Sequence, residues 1–204
     1  MFIQVIRGQV TDPQQLRAAL DTWSQRLSGA SPGWLGSTAG VTDAGQFVGL
    51  ARFESEAAAR RNSNRPEQDR WWAQTAKLFD GEVSFSDSDD IVADLHGDPN
   101  TAGFVQVMQG NGTDPDRARE LMMRNPDEMA ALRPDVVGSL AVDHAHGDYT
   151  VAIYFTSEED ARAGERTELT PEASAVMAEL GKLNTREPEF LDLSDPWLYS
   201  PHQS

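Results

Sequence analysis

The chain is 204 residues long, has no cysteine and carries a formal net charge of −16, which together remove several classes of function. Without thiols there is no disulfide, no thiolate nucleophile and no cysteine-based zinc or iron–sulfur centre. Nucleic acid and anionic membrane recruit cationic surfaces, so neither is an expected partner. No stretch approaches the ~18 apolar residues of a membrane span, and Met1–Gln4 starts a strand pattern rather than a basic leader. A soluble, cytoplasmic protein is therefore expected.

In chain order, the β-branched and apolar residues 2–7 predict a strand. Asp12 then caps a helix with Pro13 at its first position and Gln15 placed to close a capping box. Leu16, Ala19, Leu20, Trp23 and Leu27 give that helix one apolar stripe. Ser31-Pro32-Gly33 ends it, residues 34–41 predict a second strand, Thr42–Gly45 a turn and residues 47–53 a third strand. Ser55 caps a short helix to about Arg61. Pro66 opens another, on which Trp72, Thr75, Ala76 and Phe79 share a face. Gly81 is expected to end it, and residues 82–86 to form a fourth strand.

The same text then recurs. Phe2-Ile3-Gln4-Val5-Ile6 returns as Phe104-Val105-Gln106-Val107-Met108, and Thr11-Asp12-Pro13 as Thr113-Asp114-Pro115. The offset of 102 holds through Gly36/Gly138, Phe53/Phe155 and Ala59/Ala161, and three extra residues bring Phe85 opposite Phe190. A period of this size is a duplicated domain rather than a solenoid repeat. The second copy predicts strands at 104–109, 136–142, 149–155 and 187–192, with helices from Asp114 and Pro171, the former interrupted by Asn125-Pro126. The expected organisation is a first repeat over 1–88, an acidic linker over 89–102, a second repeat over 103–193 and a tail over 194–204 whose Trp197, Leu198 and Tyr199 pack back on the body.

Strand, helix, strand, strand, helix, strand is the ferredoxin-like, split-βαβ order, so the fold class is α+β with two tandem units. Apolar residues occupy both alternating sets of the strands, Ile3/Val5 against Phe2/Ile6 and Val48/Leu50 against Phe47/Ala51/Phe53. Both sheet faces are thus expected to be buried, with the two antiparallel sheets packed into one intramolecular α+β barrel.

The segment Ala51-Arg52-Phe53-Glu54-Ser55-Glu56-Ala57-Ala58-Ala59-Arg60, running on to Arg65-Pro66-Glu67, resembles the antibiotic-biosynthesis-monooxygenase-like group. The resemblance extends over both repeats and implies the dimeric α+β barrel. It also implies a choice of activities, among them cofactor-independent oxygenation of aromatic polyketides and haem degradation. In the oxygenase branch Asn and Trp near this helix position an aromatic substrate, which implies that role for Asn62, Trp71 and Trp72.

The two copies differ where a site is expected to differ: Trp71 and Trp72 stand opposite Val176 and Met177, Arg52 opposite Tyr154, and Asn62 opposite Gly164. The second copy therefore reads as a structural mate. Gln4 and Gln106 share one strand position among apolar residues, and a buried amide needs partners. For these two, and for Arg52 and Tyr154, a ligand contact and a bond to neighbouring backbone are both open readings. Arg60, Arg61, Arg65 and Arg70 are interspersed with Glu54, Glu56, Glu67 and Asp69, which favours surface pairing over an anion grip. His144 and His146 fall on a hairpin tip rather than a metal site. His96 lies in the linker and His202 in the tail, so neither a metal nor another cofactor is expected, and no catalytic residue can be named. The expected partner is a small-molecule ligand, the expected state a monomer or weak homodimer. The protein is either a monooxygenase-like enzyme acting on an aromatic or polyketide-like substrate without cofactor, or a non-catalytic binding or structural protein of the same fold.

Overall fold

The computed structural model describes residues 1–95, 97–124 and 130–201. The first repeat forms β1 (Phe2–Val10), α1 (Pro13–Arg26), β2 (Trp34–Val41), β3 (Gln46–Phe53), α2 (Glu56–Ser63), α3 (Pro66–Thr75) and β4 (Phe79–Ser88). After it come β5 (Ile91–Asp94), β6 (Phe104–Asn111), α4 (Pro115–Met122), β7 (Val136–Asp143), β8 (Asp148–Phe155), α5 (Glu158–Gly164), α6 (Pro171–Leu183), β9 (Glu189–Leu193) and β10 (Trp197–Tyr199). The chain separates into two compact units, residues 1–91 with 195–204 and residues 92–194. Among the described residues no helix is long and apolar enough to cross a membrane.

The first unit holds a five-stranded sheet in the order β10-β2-β3-β1-β4, the second one in the order β5-β7-β8-β6-β9. The duplication is visible in the register. Gln4 lies opposite Ala51 and Asp87, and Gln106 opposite Ile153 and Asp192. Helix starts follow the expected chemistry. Asp12 accepts from the Gln15 N–H at 3.0 Å and Ser55 from the Ala58 N–H at 3.2 Å. The capping box is not reciprocal, because the Gln15 amide bonds the Asp12 carboxylate at 2.8 Å and not its backbone. The interruption expected at Asn125-Pro126 lies outside the described residues, and so do His96 and His202.

Alternation sorts each strand into two faces. Phe2, Ile6, Phe47 and Phe53 turn toward α1, α2 and α3, where they pack with Leu16, Trp23, Ala58 and Ala59. Ile3, Val5, Val48 and Leu50 occupy the other face and are buried as well. The second sheet repeats this, with Phe104 and Phe155 against Ala161, and Val105, Val107, Ala152 and Leu193 buried on the opposite face.

Two expectations are corrected. Phe79 continues the helical spacing of Trp72 and Thr75, yet α3 ends at Thr75 and Phe79 is the first residue of β4. Its ring lies over Gly8 of β1, where a Cβ would sit 2.7 Å from it. Gly81, at φ +85°, lies inside β4 beside the register shift between Arg7 and Gln9. The stretch read as linker contains β5, which adds a strand beside β7.

The tail joins the first sheet, Trp197 opposite Ala39 and Tyr199 opposite Ser37. Trp197 is buried against Phe47, with the Arg17 guanidinium over its ring. Arg17 also pairs with Asp195. The Tyr199 hydroxyl donates to Asp21 at 2.7 Å. Burial, then the Asp21 carboxylate, push this phenol well above its ordinary range. The folded state therefore holds a proton that the unfolded chain releases near pH 10. The stabilisation is complete below that pH and drains away as pH rises toward the folded-state value. Urea midpoints followed between pH 8 and pH 11 should fall more steeply for wild type than for Tyr199→Phe.

Candidate functional site

A cavity of about 180 Å³ lies within the first unit between its sheet and helices α1 and α3. Gln4 and Ile6 of β1, Phe47 of β3 and Phe79 and Phe85 of β4 form its sheet wall. Leu16 and Leu20 of α1 and Trp71, Trp72 and Thr75 of α3 form its helix wall. The aromatic rings are in contact. Trp72 meets Phe85 edge-on at 5.4 Å between centroids, Phe79 at 6.1 Å and Trp71 at 6.0 Å.

The polar groups divide into those already committed and those left open. The Trp71 indole donates to the Ala19 carbonyl at 3.1 Å, and Gln68 accepts from the Trp23 indole at 2.5 Å. The Thr75 hydroxyl donates back to the Trp71 carbonyl at 3.0 Å. Gln4 is different: among the described residues its amide has no hydrogen-bond partner, although it is half-buried in the cavity wall. Its counterpart Gln106 donates to Asp192 at 2.9 Å, and Asp192 also accepts from Arg162. That bond raises the Arg162 guanidinium further above its normal range, and the guanidinium covers the Phe104 ring at 5.1 Å. In the first copy the corresponding Arg60 pairs with Glu56, whereas Arg162 bonds Glu158 and Glu165 as well as Asp192.

The structure thus brings Gln4, Trp71 and Trp72 together and separates the remaining candidates. Asn62 is buried, but it accepts from Arg65 at 3.0 Å and lies off the cavity wall, so its role is to fix the turn between α2 and α3. Arg52 stands opposite Ile3, on the far face of the sheet from Gln4. Tyr154 likewise stands opposite Val105, on the far face from Gln106. Of the basic cluster, Arg60 pairs with Glu56 and Arg70 with Glu67. His144 and His146 are at the β7–β8 hairpin tip, with His146 in a left-handed conformation at φ 62°. Among the described residues no group of three or more His, Asp or Glu is arranged to hold a metal.

The aromatic lining from Phe47, Phe79 and Phe85 was not foreseen. The alternation of β1 and β3, carried through to β4, holds that signal once β4 is recognised to begin at Phe79. The second copy also contains a cavity, of about 310 Å³ in the equivalent location, lined chiefly by apolar residues of β8 and α6 such as Val151, Ile153, Phe155, Val176 and Leu180. Two arginines line it: Arg133 binds Asp135 through both Nε (3.0 Å) and Nη2 (2.8 Å), and Arg124 pairs with Glu120 at 3.6 Å.

No family model and no curated protein matches the sequence. Solved structures do. Two bacterial proteins, each named a "putative monooxygenase", superpose over 98% of this chain. The one from Lactobacillus acidophilus has a TM-score of 0.72 at 11% identity over 95% of its own length. The one from Fusobacterium nucleatum has a TM-score of 0.76 at 9% identity over 94%. An anthrone oxidase-like protein matches 99% of this chain and 94% of its own, with a TM-score of 0.70 at 10% identity. Likeness at such identity concerns the fold. The chain has the fold of these proteins, an α+β arrangement whose unit is written twice in tandem.

Proposed function

We propose that the protein binds a flat aromatic molecule of one or two rings in the helix-side cavity of its first repeat and acts on it as a cofactor-independent, monooxygenase-like enzyme. The observation that carries this reading is the amide of Gln4, unpartnered among the described residues and set among Trp71, Trp72, Phe47, Phe79 and Phe85. An apolar pocket with one or two placed polar groups is the usual form of a small-molecule site. Size narrows the ligand. About 180 Å³ is below the ~300 Å³ at which drug-sized pockets begin, and above the ~150 Å³ that holds a benzene. A three- or four-ring polyketide is too large.

The chemistry suited to such a site is oxidation of a phenol to a quinone. Loss of the hydroxyl proton places negative charge on the para carbon, which adds O₂, and departure of water leaves a second carbonyl. One O₂ is consumed and one water released, with no external reductant. Gln4 would donate to the phenolate oxygen, Trp72 would flank the ring, and Asp69, exposed at the rim, is the carboxylate available to take the proton. No histidine lines the cavity among the described residues, and this favours, as a second reading, binding without turnover.

1-Naphthol tests both. Wild type should show quenching of tryptophan fluorescence on titration. Gln4→Leu should bind about 3- to 10-fold more weakly for the loss of one hydrogen bond. Oxygen uptake with formation of 1,4-naphthoquinone would establish the enzyme, and binding without uptake the second reading. Equal binding by Gln4→Leu and Trp72→Ala would place the ligand elsewhere.

A further inference from the structure

We propose that the cavity of the second repeat is a ligand site in its own right, for a neutral aliphatic molecule that carries one hydroxyl or carbonyl oxygen. The site lies within the second unit, between β7, β8 and α6. It arises from exchanges between the two copies. Trp34, Trp71 and Trp72 of the first stand opposite Val136, Val176 and Met177, and all three replacements lie on this cavity's wall. Val151 and Ile153, opposite Gly49 and Ala51, return part of the space. What remains is about 310 Å³, against about 180 Å³ in the first unit. A benzene needs ~150 Å³, so the larger cavity suits about ten heavy atoms. Aliphatic surface has taken the place of indole surface. Phe155, the one aromatic ring among the described lining residues, is already packed on Phe104 at 5.7 Å between centroids.

The same exchange frees a polar group. In the first repeat the Ser37 hydroxyl accepts from the Trp34 indole at 3.0 Å. Its counterpart Ser139 is half-buried on the cavity wall, with Val136 at the position of that tryptophan, and its hydroxyl has no hydrogen-bond partner among the described residues. A small apolar cavity with one such group is the usual form of a site that orients a single polar atom of its ligand. The charges on the wall favour a neutral molecule. Arg133 is bound to Asp135 and Arg124 to Glu120, so neither is open to a carboxylate or phosphate. The other charged lining residues, Asp94 and Glu172, are exposed, and Glu172 lies in the first turn of α6, where a carboxylate complements the helix dipole. The site does not rest on the aromatic-ligand reading, because its lining residues belong to the second unit.

The test is calorimetric titration of the full chain with straight-chain alcohols from 1-pentanol to 1-octanol, with the methionine methyl signals followed by NMR to locate the ligand. Binding to wild type should tighten about fourfold with each added methylene, and it should shift the methyl signal of Met177, which Met177→Leu assigns. Ser139→Ala should bind about 3- to 10-fold more weakly for the loss of one hydrogen bond. Val176→Trp, which restores the indole of the first repeat, should fill the cavity and abolish the Met177 shift. Quenching of wild-type tryptophan fluorescence by 1-naphthol reads the first unit alone, since all five tryptophans lie in it, so failure of either site is seen separately. No binding of alcohols, an affinity that does not grow with chain length, an undisturbed Met177 signal, or tighter binding of octanoate or octylamine than of 1-octanol would each overturn the proposal. The wild-type series decides even where a variant fails to fold.

Discussion

Replacing Trp34 with alanine should cost the first unit about 3–5 kcal/mol, the usual range for truncating a large buried aromatic. Trp34 is 5% exposed at the start of β2 and packs with Phe2, Trp23, Phe53, Ala58 and Ala59. Trp23 meets it edge-on, at 5.0 Å between centroids and an interplanar angle of 79°. Its indole donates to the Ser37 hydroxyl at 3.0 Å, so truncation also leaves that hydroxyl short of a partner. Helix packing and sheet both border the hole, and neither can close over it without moving. Urea titration followed by tryptophan fluorescence reads the first unit selectively, since all five tryptophans lie in it. Trp34→Phe should restore more than half of the loss. A change under about 1 kcal/mol for the alanine variant would mean that this cluster does not hold the unit together.

Trp34 also shows what a sequence makes legible. Local chemistry with a single solution was readable: Asp12-Pro13 and Ser55 start helices because few other arrangements satisfy those N–H groups. The span of β2 matches its expected bounds at both ends. Duplication added a second reading of each element and located the three-residue insertion, which the pairing of β6 with β9 confirms. Elements whose identity depends on distant partners were not readable. Residues 91–94 are four residues of an acidic stretch, and they become a strand only because β7 offers an edge. Phe79 has helical spacing with Trp72, but the space above Gly8 draws it into the sheet.

The candidate site divides along the same line. Gln4 was identifiable because an amide among β-branched residues is out of keeping with its surroundings, and the comparison with Val176 and Met177 identified Trp71 and Trp72. What the sequence could not convey was the face on which each side chain stands relative to the helices. Gln4 and Arg52 are both flanked by apolar residues, yet a one-residue difference in register places them on opposite faces. The distinction between Gln4 and Gln106 was equally hidden. In the second copy Gln106 and Arg162 both donate to Asp192, while in the first Arg60 bonds Glu56 and Gln4 has no partner among the described residues, a difference of side-chain arrangement that residue identities alone do not convey.

Ending the chain after Ser194 should destabilise the first unit by about 5 kcal/mol or more, although the removed residues follow the second repeat. Trp197 is 6% exposed, and its loss alone corresponds to about 3–5 kcal/mol. The Tyr199–Asp21 hydrogen bond adds about 1 kcal/mol. Against a typical domain stability of ~5–15 kcal/mol, that brings the first unit close to unfolding. The truncation also uncovers β2, whose backbone groups then form an unpaired edge that invites association between chains. Hydrogen exchange should show the amides of residues 37–39 losing protection first, with the strands of the second unit as internal reference. Light scattering should rise with concentration for the truncated chain only. Trp197→Ala in the full chain separates the two effects, since it removes the buried ring and leaves the strand to cover the edge. Unchanged protection over residues 37–39 in the truncated chain would mean that β10 does not hold that edge in solution.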